Sequence, residues 1–365
     1  MDLLRSLYIH IPFCDNICSY CDFSHLLSRT NYQKRYLIRL KEDISKIKDK
    51  KLYSIYIGGG TPSSLSKEEL EDLLSFLYSK FEVKEEFSFE ANPESIDEEK
   101  VKVLVKYGVN RVSLGVQTVD EKHLKLLNRH HDIKTIKKAC NILHKYNLNN
   151  INFDFIYGLE DEDESNIEKN IAFALENDVK HISYYSLQVE EGTVLYNSGY
   201  KVDDDKLATY YEKIVSRLEE VGFKRYEVSN FAKEGYESKH NLVYWQNKEY
   251  YGEGLSASMY IDNIRETKTR NIIDYLNGEK LVAFKEVLTK EDDEFNYLML
   301  NLRLIKGFSL NEFKNRYKKD FLKEYRKEIE KIKDSVVVEN DYFRVKSDKI
   351  FILDSLLVDL LHFKD

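Results

Sequence analysis

No run of about 18 apolar residues occurs anywhere in this 365-residue chain, which excludes a membrane-spanning helix and leaves at most a peripheral membrane contact. No signal-type segment precedes Leu3, where the first apolar run begins. The four cysteines also lack the even spacing of a secreted disulfide scaffold, so the expected compartment is the cytoplasm. A basic excess is missing too. Lys and Arg number 56 against 64 Asp and Glu, a formal charge of -8, which argues against a general nucleic-acid surface. The most basic stretch, 314–333, is interleaved with glutamates and reads as a solvated helix face. Proline is reduced to three residues while lysine, tyrosine, asparagine and isoleucine abound, a compositional habit that points to no function. A P-loop is absent as well, because Gly58-Gly59-Gly60-Thr61 is not followed by the required Lys-Ser/Thr pair.

What is present is concentrated. Cys14, Cys18 and Cys21 form a C-x3-C-x2-C run just after a predicted strand. Three thiolates on one short loop suit a four-iron, four-sulfur cluster in which one iron keeps no protein ligand and stays open to bind and activate something else. The alternative is a zinc site with His10 or His25 as fourth ligand. The remaining cysteine, Cys140, lies in an amphipathic stretch, 132–148, and is expected against the core.

Short apolar runs alternate with amphipathic ones, the pattern of repeated strand-helix units. Strands are predicted at 6–11, 52–57, 87–91, 111–115, 152–157 and 181–187. Helices are predicted at 31–48, 67–79, 97–107, 132–145, 165–176 and 203–221, the last ending at Gly222. Six units fit in roughly 220 residues, whereas a closed eight-unit barrel needs about 250. The expected fold class is therefore α/β, an open six-unit (β/α)6 partial TIM barrel over residues 1–235. Residues 236–365 break the rhythm. Helices at 292–304 and 319–333, β-prone runs at 336–338 and 343–345 and an apolar stretch at 350–361 predict a smaller, winged-helix-like α+β domain. Its charge balance favours a structural or docking role over DNA reading. The acidic run 160–164 reads as a solvated loop and helix start.

The polar and glycine-rich residues gather just behind these strands: Cys14, the triple glycine with Thr61, Asn92-Pro93, Gln117 and Gly158. In parallel α/β folds ligands bind at the carboxyl ends of the strands, so independent loops converge on one mouth. The glycines let a backbone approach a ligand closely and make a seat for the ammonium end of an amino-acid-like molecule. Glu90 can accept from the same ammonium. Arg129 can answer a carboxylate as a bidentate fork. Asp154, in an otherwise apolar run, needs partners such as paired ribose hydroxyls.

The segment from Tyr8 through His10, Pro12 and Cys14 to Cys18, Cys21 and Phe23 resembles the opening of the radical S-adenosylmethionine superfamily. More closely it resembles the branch holding oxygen-independent coproporphyrinogen III oxidase and the haem chaperone HemW. The likeness continues through Gly58–Ser63, Glu90–Glu94, Ser113–Gln117, Arg129–His131, Asp154–Leu159 and Ser183–Leu187 to Tyr226–Ala232 and the His240–Trp245 block, almost the whole chain. The resemblance implies that Cys14, Cys18 and Cys21 hold a [4Fe-4S] cluster whose open iron chelates S-adenosylmethionine. It implies that Gly59, Gly60, Thr61 and Glu90 receive the amino end, that Gln117, Arg129 and Asp154 hold the carboxylate and ribose, and that Tyr8 stands near the cofactor. One-electron reduction would then release methionine and a 5'-deoxyadenosyl radical, with a flavodoxin or ferredoxin as donor.

Two features point within the branch to the chaperone. The oxidase has a further cysteine where this chain has Phe23, and a long extension before a first strand that here begins within a few residues. The His240-Asn241-x-x-Tyr244-Trp245 block resembles the chaperone's haem-binding motif, with histidine as axial ligand and the aromatics beside the macrocycle. The expected function is a haem chaperone that binds haem and delivers it to haem-accepting proteins, without decarboxylating coproporphyrinogen III. The alternatives are the oxidase or another tetrapyrrole-acting radical enzyme, and an RNA-modifying one; no catalytic residue is assigned. Three positions depart from the branch pattern: Asn128 and Ser256 stand where glycine is usual, and Glu160-Asp161 replaces Pro-Gly.

Overall fold

The computed structural model describes residues 4–28 and 31–361. Six parallel strands run in chain order: β1 (Ser6–Ile11), β2 (Lys51–Gly59), β3 (Glu82–Ala91), β4 (Arg111–Gln117), β5 (Ile151–Tyr157) and β6 (His181–Ser186). Between and after them lie α1 (Gln33–Ser45), α2 (Lys67–Lys80), α3 (Glu98–Lys106), α4 (Ile133–Lys145), α5 (Glu164–Glu176) and α6 (Asp204–Glu220). The helix starts are written in the sequence. Ser66 and Glu69 form a capping box on α2, and Asp132, Asp163 and Asp203 cap α4, α5 and α6. β1 and β6 are the outer two of these six strands and do not pair with each other, so the barrel is open, as the unit count predicts.

Alternation along the strands divides the sheet into two faces. Leu7, Ile9, Ile55, Ile57, Leu114 and Phe153 are wholly buried in the core that also holds apolar residues of α1 to α6. The other face is polar. Register aligns Tyr8 with Tyr56, Ser88 with Arg111, Glu90 with Ser113, Asn152 with His181 and Asp154 with Ser183. The barrel interior is thus a hydrogen-bonded lining open at the carboxyl ends of the strands. All three prolines, Pro12, Pro62 and Pro93, follow strands at that end.

The sheet does not stop at residue 235. β7 (Asn230–Ala232) pairs antiparallel with β6, and beyond α7 (Lys239–Trp245) the strand β8 (Tyr250–Glu253) pairs parallel with β1. β9 (Ser258–Ile261), β10 (Ile264–Lys268) and β11 (Val282–Val287) then extend the sheet antiparallel past β8. The C-terminal α+β unit follows. It comprises α8 (Lys290–Asn301), β12 (Phe308–Ser309), α9 (Leu310–Tyr317), α10 (Phe321–Glu324), α11 (Arg326–Lys331), β13 (Val336–Glu339), β14 (Tyr342–Val345) and α12 (Leu353–Leu360). Its small sheet has the order β12-β14-β13, and the long helix expected over 319–333 is broken at Tyr325. Tyr325 stacks on the buried Phe321 and donates to Glu294 at 3.0 Å. In the basic stretch, Arg316 forks onto Asp293 and Lys319 reaches Glu294, so part of that face is paired inward and not solvated.

One expectation about the acidic loop is corrected. Glu160 and Asp161 are exposed, but Glu162 is buried and accepts from the backbone of Gly158 at 2.6 Å and Leu159 at 3.2 Å. Burial pushes its carboxyl up to about 7.

Candidate functional site

The cysteine loop folds back on itself. Phe13 and Cys14 pair parallel with Leu26 and Leu27, so the segment between them projects Cys18 and Cys21 beside Cys14 at the mouth. Thr61 Oγ1 lies 3.5 Å from the Cys14 sulfur, Arg129 Nη1 3.3 Å from that of Cys18 and His25 Nδ1 3.8 Å from that of Cys21. A Cβ on Gly60 would stand 2.9 Å from the Cys14 sulfur, which is why that position takes no side chain. Gly59 has φ +117°, a conformation L residues rarely adopt, and it turns the chain under His10. Burial pushes the Cys14 thiol up to about 11 and that of Cys21 to about 12. These sulfurs therefore become thiolates only on meeting a cationic centre.

A zinc ion fits this donor set poorly. Both nitrogens of His10 are engaged, by Tyr8 OH and the Ser24 carbonyl, each at 3.0 Å. Among the described residues no three His, Cys, Asp or Glu side chains converge on a single-ion position. Three soft sulfurs spaced around a rim, with a glycine cleared away behind one of them, instead suit a body larger than one ion.

The sulfurs border a cavity of about 650 Å³ that runs down into the polar barrel. Cys14, Cys18, Cys21, Gly59, Gly60, Thr61, Glu90, Gln117, Arg129 and Asp154, ten of the sequence-selected residues, line it together. Glu90 accepts from Tyr56 OH at 2.6 Å and from Gly59 N at 3.1 Å, while burial holds its carboxyl at about 7. Arg129 is anchored by Nη2 to Asn92 at 2.8 Å and to the Gly115 carbonyl at 2.6 Å, leaving its buried Nε without a partner. Asp154 takes donors from Ser113 and Asn152, both at 2.8 Å. Burial raises its pKa. Gln117 sits at the end of β4 with φ +64°. The wall thus offers acceptors at Glu90 and Asp154 and a guanidinium at Arg129, a set matched to a ligand with an amine, a carboxylate and hydroxyls.

Four expected residues stand elsewhere. Tyr8 does not line the cavity; its ring stacks on Tyr56, 6.2 Å between centroids. His240 is wholly buried on α7, with Nδ1 on Ser54 and Nε2 on Tyr244, both at 2.8 Å. Burial drops its pKa to about 3. In this conformation the imidazole has no free nitrogen for a haem iron. Tyr244 and Trp245 line a second cavity, which shares Tyr185 and Ser229 with the first.

Sequence reasoning missed the residues that pin α7. The buried Glu86 carboxylate accepts from Ser238 Oγ at 3.2 Å, Lys239 N at 2.8 Å and His240 N at 3.2 Å. The fully buried Arg111 lies close enough for Glu86 to strengthen its charge. The signal was the period-two polar set in the strands, Glu86-Ser88-Glu90 and Arg111-Ser113. The three departures from the branch pattern find their reason here too: Asn128, Asp161 and Ser256 all have φ between +55° and +59°.

The Radical SAM superfamily profile matches residues 8–174. Over its full length the chain is similar to the heme chaperone HemW of Lactococcus lactis, 37% identical over 375 residues covering 98% of this chain and 99% of that protein. HemW of Bacillus subtilis is 37% identical over 331 residues, covering 86% and 87%, and HemW of Escherichia coli 34% over 322, covering 84% and 85%. Among solved structures, coproporphyrinogen III oxidase (HemN) of Escherichia coli superposes with a TM-score of 0.84 at 18% identity, covering 98% of this chain and 90% of that one, which shows a shared fold. The site and the full-length likeness agree: this chain belongs to the HemW family of the radical SAM superfamily.

Proposed function

We propose that the chain is a haem chaperone, taking up haem and passing it to haem-accepting proteins, on a core that uses a [4Fe-4S] cluster and S-adenosylmethionine. The observation that carries this reading is the likeness to heme chaperones along 98% of the chain, at 37% identity, against 18% for the oxidase. Phe23 supports it: the position of the oxidase's extra cysteine holds an aromatic ring, 63% exposed at the edge of the cavity.

In this reading Cys14, Cys18 and Cys21 hold the cluster. Gly59, Gly60, Thr61 and Glu90 take the amino end of S-adenosylmethionine, Arg129 its carboxylate, and Gln117 and Asp154 its ribose. Tyr8 supports Tyr56, and through it Glu90, from behind. Bound there, the cluster supplies one-electron reduction of the sulfonium; the protein's part is to orient the ligand and exclude water. A flavodoxin- or ferredoxin-type donor serves it, in the reducing cytoplasm that free thiols require. His240 reaches haem iron only if α7 leaves Ser54 and Glu86, whereas Tyr244 and Trp245 already face a cavity.

The test is anaerobic reconstitution followed by separate assays of haem binding and of coproporphyrinogen III decarboxylation. Haem uptake without turnover is expected; turnover would move the protein to the oxidase. Asp154→Ala leaves the ribose hydroxyls unpaired and is expected to weaken S-adenosylmethionine binding by about 1–3 kcal/mol by calorimetry. Unchanged affinity removes Asp154 from the site.

A further inference from the structure

Asn92 lines the cavity just beyond the end of β3 and joins the two side chains that reach the sulfurs of Cys14 and Cys18. Its backbone is fixed first. Pro93 holds it extended, at ψ 143°, while its N–H donates to Ser63 Oγ at 3.1 Å and its carbonyl accepts from Ser95 N at 3.1 Å. From this turn the side-chain amide stands between Arg129 and Thr61. A guanidinium only donates, so the 2.8 Å bond from Arg129 Nη2 requires Asn92 Oδ1 on that side. The amide nitrogen therefore faces Thr61 Oγ1, at 3.4 Å, and Thr61 accepts there. The Thr61 hydroxyl proton is left for the Cys14 sulfur, 3.5 Å away. At the other end Arg129 Nη1 donates to the Cys18 sulfur at 3.3 Å. One amide thus orders a donor onto each of two sulfurs. Cys21 is served differently, since the nearby His25 has its Nδ1 on the Phe23 carbonyl at 2.6 Å. Gly115 keeps the bridge clear: a Cβ there would stand 3.2 Å from Arg129 Nη2 and 3.3 Å from Asn92 Oδ1.

We propose that Asn92 is a positioning residue that sets the reduction potential of the cluster, acting through Thr61 and Arg129. The proposal rests on the reading of Cys14, Cys18 and Cys21 as cluster ligands and adds the residue that tunes what they hold. Donors aimed at ligand sulfurs favour the reduced, more negative state of an iron–sulfur centre and so raise its potential. Without the amide, Thr61 is free to turn its proton elsewhere, and Arg129 Nη2 keeps only the Gly115 carbonyl as anchor. Both losses move the potential down.

The test is a potentiometric titration of the anaerobically reconstituted full-length protein, read by electron paramagnetic resonance. It is run without S-adenosylmethionine, so that ligand binding by Arg129 plays no part. Asn92→Leu keeps the bulk and removes both polar ends, whereas Thr61→Val removes the hydroxyl alone. Each is expected to hold a four-iron cluster at wild-type content, with a midpoint potential more negative than wild type. In the double variant the shift is expected to be smaller than the sum of the single shifts, because both changes break the same bond. An unchanged potential in Asn92→Leu would overturn the proposal, as would fully additive shifts, which make Asn92 and Thr61 independent. So would loss of the cluster from both Asn92→Leu and the milder Asn92→Ser, which makes the residue part of the scaffold and not a tuner. Should wild type itself take up no four-iron cluster, the reading of the cysteines falls, and the tuning role with it.

Discussion

Glu90 is the residue whose ionisation the site depends on most. Burial holds its carboxyl at about 7 against an ordinary 4.5, so between these pH values the folded chain keeps a proton that the unfolded chain has lost. Stability contributed at this position accordingly falls as pH rises through that window, by about 3 kcal/mol in all. Glu90→Gln is expected to flatten this fall in denaturant titrations at pH 5 and pH 8. The same proton bears on binding. An ammonium group is received by the carboxylate form, so S-adenosylmethionine affinity should climb as pH passes about 7 in wild type and stay level in the variant. Backbone geometry yields a second residue-level outcome. Ser256 occupies φ +56° with a side chain that would rather not be there, and Ser256→Gly is expected to raise stability by about 0.5–1 kcal/mol. Asn128→Gly should not stabilise, although Asn128 has φ +55°, because its amide donates to the Ile17 carbonyl at 2.7 Å and ties the cysteine loop down.

Among the elements, α7 depends least on its own sequence. Seven residues make too short a helix to persist alone, and its N-terminus is held by Glu86 from β3, 154 residues away from His240. The carboxylate meets the positive end of the helix and lies near the buried Arg111. Glu86→Ala leaves the buried donors Ser238 Oγ, Lys239 N and His240 N without their acceptor and is expected to cost about 1–3 kcal/mol in chemical denaturation, the range for unsatisfied buried donors. Glu86→Gln keeps an acceptor for the helix amides and should cost clearly less. The strands behave differently. Their apolar runs place five of the six starts within one residue of those observed, because each run is a local signal, while the polar set on the opposite face looks like noise until the sheet curls around it.

At the scale of the whole molecule, two cavities share one wall. The cluster loop closes the larger, whereas α7 and the 226–230 turn build the smaller. Cys14→Ala is expected to lose iron and sulfide on anaerobic reconstitution yet keep at least half of wild-type haem uptake. Cys140→Ala should match wild type in both, since Cys140 is buried on the outer helix α4, packed within the core and away from the mouth. Loss of the cluster in Cys140→Ala would show that three cysteines are not the whole ligand set.

Local information reached far in this protein. The cysteine triplet and the glycines behind β2 stand out as short patterns next to apolar runs, the family resemblance added ligand roles for Glu90, Gln117, Arg129 and Asp154, and strand order alone brings the ends of a parallel sheet together. Tertiary structure decided what spacing cannot encode. It turned Glu162 inward from a run of like charges, carried the sheet past residue 235 by pairing β8 with β1, and closed both nitrogens of His240 behind Ser54 and Tyr244. In each case the deciding partner is brought in by a fold-wide contact or by burial, and neither can be read from a side chain's neighbours in the chain.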